Sequence, residues 1–187
     1  MKKNVQLITK KDLLSFIDAL IRDRSYEVVG PQAHRERYAY DVLESADKLR
    51  LDHDVTILPP KKYFLPQYEH LMRYSLEKPF QVQKEAEEKP RIIIGMHPYD
   101  IIALEQSDLV YLDAQEDNFY KKRRQNTIII GADIQKISER SFAASMKTNV
   151  KNGCDDDNFC LSHQLFCGQR YLALNLKFKH FFQGLLT

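Results

Sequence analysis

Nowhere do apolar residues run for the roughly 20 positions that a membrane-spanning helix needs, so no such span is expected in the 187 residues. Neither sign of charge dominates. Lys and Arg number 28 against 26 Asp and Glu, a formal net charge of +2, and so small an excess makes no global field for nucleic acid. Cysteine is scarce: the three residues Cys154, Cys160 and Cys167 crowd into one short stretch. An odd, clustered set does not read as a secreted disulfide framework. The first residues, Met1 to Leu7, are basic but lack the apolar run and small-residue site of a signal peptide. A cytoplasmic protein is the resulting expectation. Also missing are a phosphate-cradling loop, a nucleophile with a base, and an acid–base pair, so independent catalysis is not expected.

What is present centres on Arg91 to Ala132. Two β-branched runs, Arg91-Ile92-Ile93-Ile94-Gly95 and Thr127-Ile128-Ile129-Ile130-Gly131, each close on glycine. Short apolar runs of this kind are the pattern of strands buried on both faces. Between them Tyr99 to Gln106 has helical spacing, Leu109 to Leu112 is a further strand candidate, and Asp117 to Gln125 reads as a basic helix. Alternating strands and helices predict a parallel or mixed sheet.

Ahead of this centre, Thr9 and Asp12 make a capping-box-like start. Leu13, Leu14, Phe16, Ile17, Leu20 and Ile21 then form an apolar stripe, which predicts an amphipathic helix over 10–23. Ser25 to Val29 reads as a strand ending at Gly30-Pro31, with Pro31 to Glu36 as a loop and Arg37 to Val42 as its partner. Asp47 to Leu51 is a short polar helix or turn. The prolines Pro59, Pro60 and Pro66 predict a stiff, extended surface segment from Asp54 to Pro66. Its Lys61 and Lys62, beside Tyr63 and Phe64, could grip a phosphate or carboxylate. The plainer alternative is that the aromatics pin the segment while the lysines are solvated. Gln67 to Tyr74 can form a short helix, and Glu77 to Lys89 reads as an exposed connection or hairpin.

Lys121-Lys122-Arg123-Arg124 is either a docking patch for an acidic partner or the solvated, dipole-matched end of a helix. After Val150 the texture changes. The spacing of Cys154, Cys160 and Cys167, with His163 and aspartates near, raises a metal site but fits neither zinc nor iron–sulfur patterns. Free thiols are the default there.

Several segments together resemble one iron–sulfur family. They are Val28-Val29-Gly30-Pro31, Leu49-Arg50-Leu51-Asp52, the run from Leu58 to Pro66, Gly95 to Ile101, Phe119 to Asn126, and Ser145-Met146. Over roughly residues 9 to 148, the chain is similar to the amino-terminal region of 4Fe-4S dicluster domain proteins. These include sulfhydrogenase beta subunits and the corresponding subunit of anaerobic sulfite reductase. The resemblance implies a protein that passes electrons between a flavin-containing partner and a catalytic one, with two ferredoxin-like clusters in a carboxy-terminal part that this sequence does not show. By motif position, cysteines of the family's amino-terminal region correspond here to Tyr99, Ile134, Ser141 and Ala143. A cubane cluster wants four thiolates, so no cluster is expected in residues 1 to 148.

The expected architecture is a single α/β domain over 1–150, with a small mixed or parallel sheet flanked by helices. An irregular, atypical tail over 151–187 follows, and a shifted reading frame past Val150 is one account of it. The expected function is that of a truncated, cluster-less relative that docks to flavin-containing or catalytic subunits of a redox complex through Lys61, Lys62, Arg123 and Arg124. Two rivals stand beside it: a subunit that keeps a cluster on Cys154, Cys160 and Cys167, and a small anion- or nucleotide-binding domain.

Overall fold

The computed structural model describes residues 9–75, 77, 82–83, 89–114 and 116–132, and singly 134, 135, 138, 141, 142 and 145. The expected 151–187 tail, with its three cysteines, lies outside the described residues. The elements are α1 (Lys10–Asp23), β1 (Glu27–His34), β2 (Arg37–Val42), β3 (Arg73–Tyr74), β4 (Val82–Gln83), β5 (Arg91–Met96), α2 (Pro98–Asp108), α3 (Asn118–Gln125) and β6 (Thr127–Gly131). Four strands form one mixed sheet in the order β2-β1-β5-β6. β5 runs parallel to both β1 and β6, while β2 returns antiparallel on β1. The α/β architecture is therefore as its sequence pattern implies. Among the described residues no helix is long and apolar enough to cross a membrane.

Both triple-isoleucine runs are central to the packing because alternate residues face opposite layers. Ile92 and Ile94 join Leu13, Ile17 and Leu20 of α1, with Val28, Leu43, Ala46, Leu49 and Ile130. Ile93 and Ile129 face the other way, into Val29, Tyr40, Phe64, Met96, Leu104 and Tyr120. Fully burying each such side chain contributes about 2 kcal/mol. The Thr9 hydroxyl accepts from the Asp12 amide and donates to its carboxylate, 3.1 and 2.7 Å, so α1 starts where the sequence places it. The Asp117 carboxylate does the same service for α3, accepting from Phe119 and Tyr120 amides.

At Gly95 β5 departs from ideal register with β6. Its φ of +84° is open to glycine, and a Cβ there would stand 2.8 Å from Leu51 and 3.1 Å from Pro31. The irregularity returns Met96 to the Ile93 face and sets the direction in which the chain leaves the sheet.

Four local expectations change. β1 continues through Gly30-Pro31 to His34, and only Arg35 and Glu36 form the turn. Proline is tolerated there because β1 pairs with β5 only over Glu27–Val29, so no partner needs its missing N–H. Leu109–Ala114 is a π-helical extension of α2, not a strand; no breaker separates it from the helix. Gln67–Tyr74 is not helical, and Arg73–Tyr74 instead pairs with Val82–Gln83 as a hairpin. Within the proline segment, Pro60–Tyr63 winds into a 3-10 turn with Pro60 at its first position, where its fixed φ is suited to helix entry.

Candidate functional site

The parallel strands β1, β5 and β6 reach one edge of the sheet, the edge where open α/β folds collect ligands. There β5 passes through Met96-His97 into α2, whose first residue is Pro98. The His97 carbonyl accepts from the amides of Asp100 and Ile101 at 3.0 and 3.1 Å. Its side chain makes no cap and lies flat on another imidazole. The rings of His97 and His53 are 4.0 Å apart, with planes 6° from parallel. Both are buried, at 0% and 1% exposure.

His53 reaches this place because the chain after β2 is laced along the sheet. The Arg50 amide donates to Pro31 O and the Ile57 amide to Tyr38 O, each at 2.8 Å. Tyr38 and Tyr40 of β2 then flank the His53 ring at 6.2 and 5.9 Å. A second tie comes from α2: the Tyr99 hydroxyl donates to the Asp54 carbonyl at 2.8 Å.

These bonds settle the tautomers. Since the Tyr99 proton goes to Asp54, the 2.7 Å bond between Tyr99 Oη and His97 Nδ1 requires that His97 donate. His53 Nδ1 stands 3.1 Å from the Arg50 carbonyl, which can only accept. Each ring therefore carries its proton on Nδ1 and a lone pair on Nε2. Burial, and secondly the neighbouring His53, pushes His97 down to about 3. Burial likewise lowers His53. His97 Nε2 is buried with no hydrogen-bond partner among the described residues.

Asp100 lies on the first turn of α2. Burial raises its carboxyl to about 7, against the pull of Lys61. Tyr40 is raised well above its ordinary value, by burial first and Asp100 second. Its hydroxyl donates to Gly95 O at 2.8 Å. The arrangement holds neutral imidazoles and an exchangeable carboxyl proton. No nucleophile is paired with a base in it.

The cations singled out from the sequence take different places. Lys61 is exposed. Lys62 Nζ donates to Tyr40 O at 2.7 Å and sits 5.0 Å from the Tyr63 ring. Arg123 donates through Nε to Phe64 O at 2.8 Å and pairs with Glu69. Arg124 is buried: its Nε is 3.2 Å from both Asp108 oxygens, and its guanidinium lies 5.7 Å over the Phe64 ring. Asp108 also accepts from Tyr120 Oη at 2.5 Å. The proline segment and the basic helix thus meet at Phe64. A cleft of about 160 Å³ beside them is lined by Leu112, Glu116, Lys121, Arg124 and Gln125.

Sequence reasoning assigned no role to His53, His97 and Asp100. His97 offered one signal, a histidine just past a glycine-closed strand. His53 offered none, since its partners are distant in the chain.

Cysteine-equivalent positions implied by the family resemblance do not fit a cluster where they are described. Tyr99 presents a phenol already held by His97 and Asp54, Ile134 an aliphatic chain and Ser141 a hydroxyl. Ala143 lies outside the described residues, and so do Cys154, Cys160 and Cys167.

Comparison with known proteins gives a relative. Over 122 residues the chain is 31% identical to sulfhydrogenase 2 subunit beta of Pyrococcus furiosus. The chain is similar to a sulfhydrogenase subunit. The match takes in 65% of this chain and 35% of that protein, so the chain spans about a third of its relative's length. No family model matches, and no solved structure matches.

Proposed function

We propose that the chain serves in an electron-transfer complex of the sulfhydrogenase or anaerobic sulfite reductase kind, docking to flavin-containing and catalytic subunits in the cytoplasm. The observation that carries this is the 31% identity to a sulfhydrogenase beta subunit over 122 residues. Its own role is structural: residues 1–148 hold no iron–sulfur cluster and position redox partners. Support for the second part is the chemistry of Tyr99, Ile134 and Ser141, which offer no thiolate set. Lys61 is the docking cation whose loss leaves the fold intact, because it is exposed, whereas Lys62, Arg123 and Arg124 also bond within the chain.

Two measurements test the reading. Anaerobically purified protein is assayed for iron, labile sulfide and sulfur-to-iron charge-transfer absorption. Stoichiometric iron and sulfide that disappear on changing Cys154, Cys160 and Cys167 to serine would replace it with the cluster-bearing alternative. Co-purification with flavin-containing and hydrogenase-type subunits from the source cell supports docking; recovery of the chain without them opposes it. The exposure of Lys61 favours, as a second reading, a small anion- or nucleotide-binding domain. Titration with flavin and nicotinamide nucleotides, against Lys61→Ala, tests that reading.

A further inference from the structure

The stacked imidazoles join two parts of the chain that no long strand pairing connects. His97 follows β5, and His53 belongs to the segment that carries Val55, Ile57 and Leu58, exposed at 58%, 50% and 39%. We propose that His53, His97 and Tyr99 form an acid-sensitive clasp that holds the 52–58 segment on the end of the sheet and releases it when His97 takes a proton.

The geometry gives the mechanism. With one proton on each Nδ1, both rings are neutral and stack without repulsion, and the relay from His97 Nδ1–H to Tyr99 Oη–H to Asp54 O=C ties the segment to α2. The only basic atom left on His97 is Nε2. Adding a proton there makes a buried donor with no acceptor in reach among the described residues. It also places a positive charge on a side chain that is 0% exposed. Both changes disfavour the closed arrangement, because a buried donor without an acceptor and a buried charge with no counter-charge bonded to it are each costly. Opening the segment lets water reach Nε2 and removes both costs.

The surrounding groups do not cancel this. From the loop side, Asp52 and Asp54 act on His53, and Asp54 acts on His97. Asp52 is engaged by Arg50, whose guanidinium makes two bonds to it at 2.9 and 2.7 Å. From β2 come only the phenols Tyr38 and Tyr40. From α2 come Tyr99 and Asp100, and from the 3-10 turn Lys61, whose charge falls on Asp100. None supplies a carboxylate bonded to His97 Nε2.

Hydrogen–deuterium exchange of the full chain, stepped from about pH 7.5 to about 4.5 and corrected for intrinsic exchange, tests the clasp. Protection of 52–58 should fall at least about tenfold while Ile92–Ile94 of β5 stay protected. The same step in His97→Phe should leave that ratio unchanged. Should His97→Phe not fold, the wild-type imidazole carbons are read by NMR: two Nδ1–H tautomers should persist until the segment opens. Loss of protection everywhere at one pH would overturn the clasp, as would a segment indifferent to acid or an Nε2–H tautomer on His97.

Discussion

Replacing Asp100 with Asn should expose an acid sensitivity of global unfolding that Asp100, which lies on α2 and outside the 52–58 segment, offsets in the native chain. His97 falls from 6.5 to about 3 on folding. The unfolded chain therefore takes its proton first, and folding stability is lost as pH drops through that range. At about 1.36 kcal/mol per unit this is about 4–5 kcal/mol in all. Asp100 runs the other way: its carboxyl rises from 3.8 to about 7, so the folded chain takes that proton first. Stability from Asp100 grows as pH falls from about 7 towards 4, with a smaller amplitude because the residue keeps part of its exposure. Between about pH 4 and 6.5 the two slopes oppose, and native stability should change little from this pair. Asp100→Asn removes one of them. Its stability should be higher than native near neutrality and then fall by about 1 kcal/mol per pH unit on acidification. Urea midpoints by far-ultraviolet circular dichroism or tyrosine fluorescence suffice, since the chain has ten Tyr and no Trp. Parallel curves for the two proteins would refute the opposition.

Gly95→Ala should destabilise by about 1–3 kcal/mol, since it combines a positive φ with a Cβ forced onto Leu51 and Pro31; thermal unfolding measures it. Arg124→Met removes the cation beside the Asp108 carboxylate, which is 17% exposed and keeps its bond from Tyr120, and should cost about 3 kcal/mol, with Asp108→Asn in the same chain recovering part of the loss. Lys61→Glu should leave the melting temperature within about a degree while weakening capture of the redox partners proposed above. Equal capture by both proteins would remove Lys61 from the docking surface.

Much of the framework was legible because its causes are local. The helix over 10–23 is written in a cap and a stripe of six apolar residues, and each triple isoleucine declares a strand with two buried faces. Leu109–Ala114 misled because β-branched and aromatic residues serve either state, and only the continuing ladder from Glu105 decides for a helix. Gln67–Tyr74 misled because a two-residue pairing with Val82–Gln83 leaves no period to read.

Composition and spacing by themselves determined the α/β class, the helix starts and the absence of cysteine before Val150. Tertiary structure alone decided that Phe64 gathers Arg123 and Arg124, and that His53 lies on His97. Periodicity reports a residue's neighbours within a few positions, whereas these meetings join residues about 44 to 60 positions apart, through strand order, a bulge at Gly95 and the burial of polar groups that must find partners.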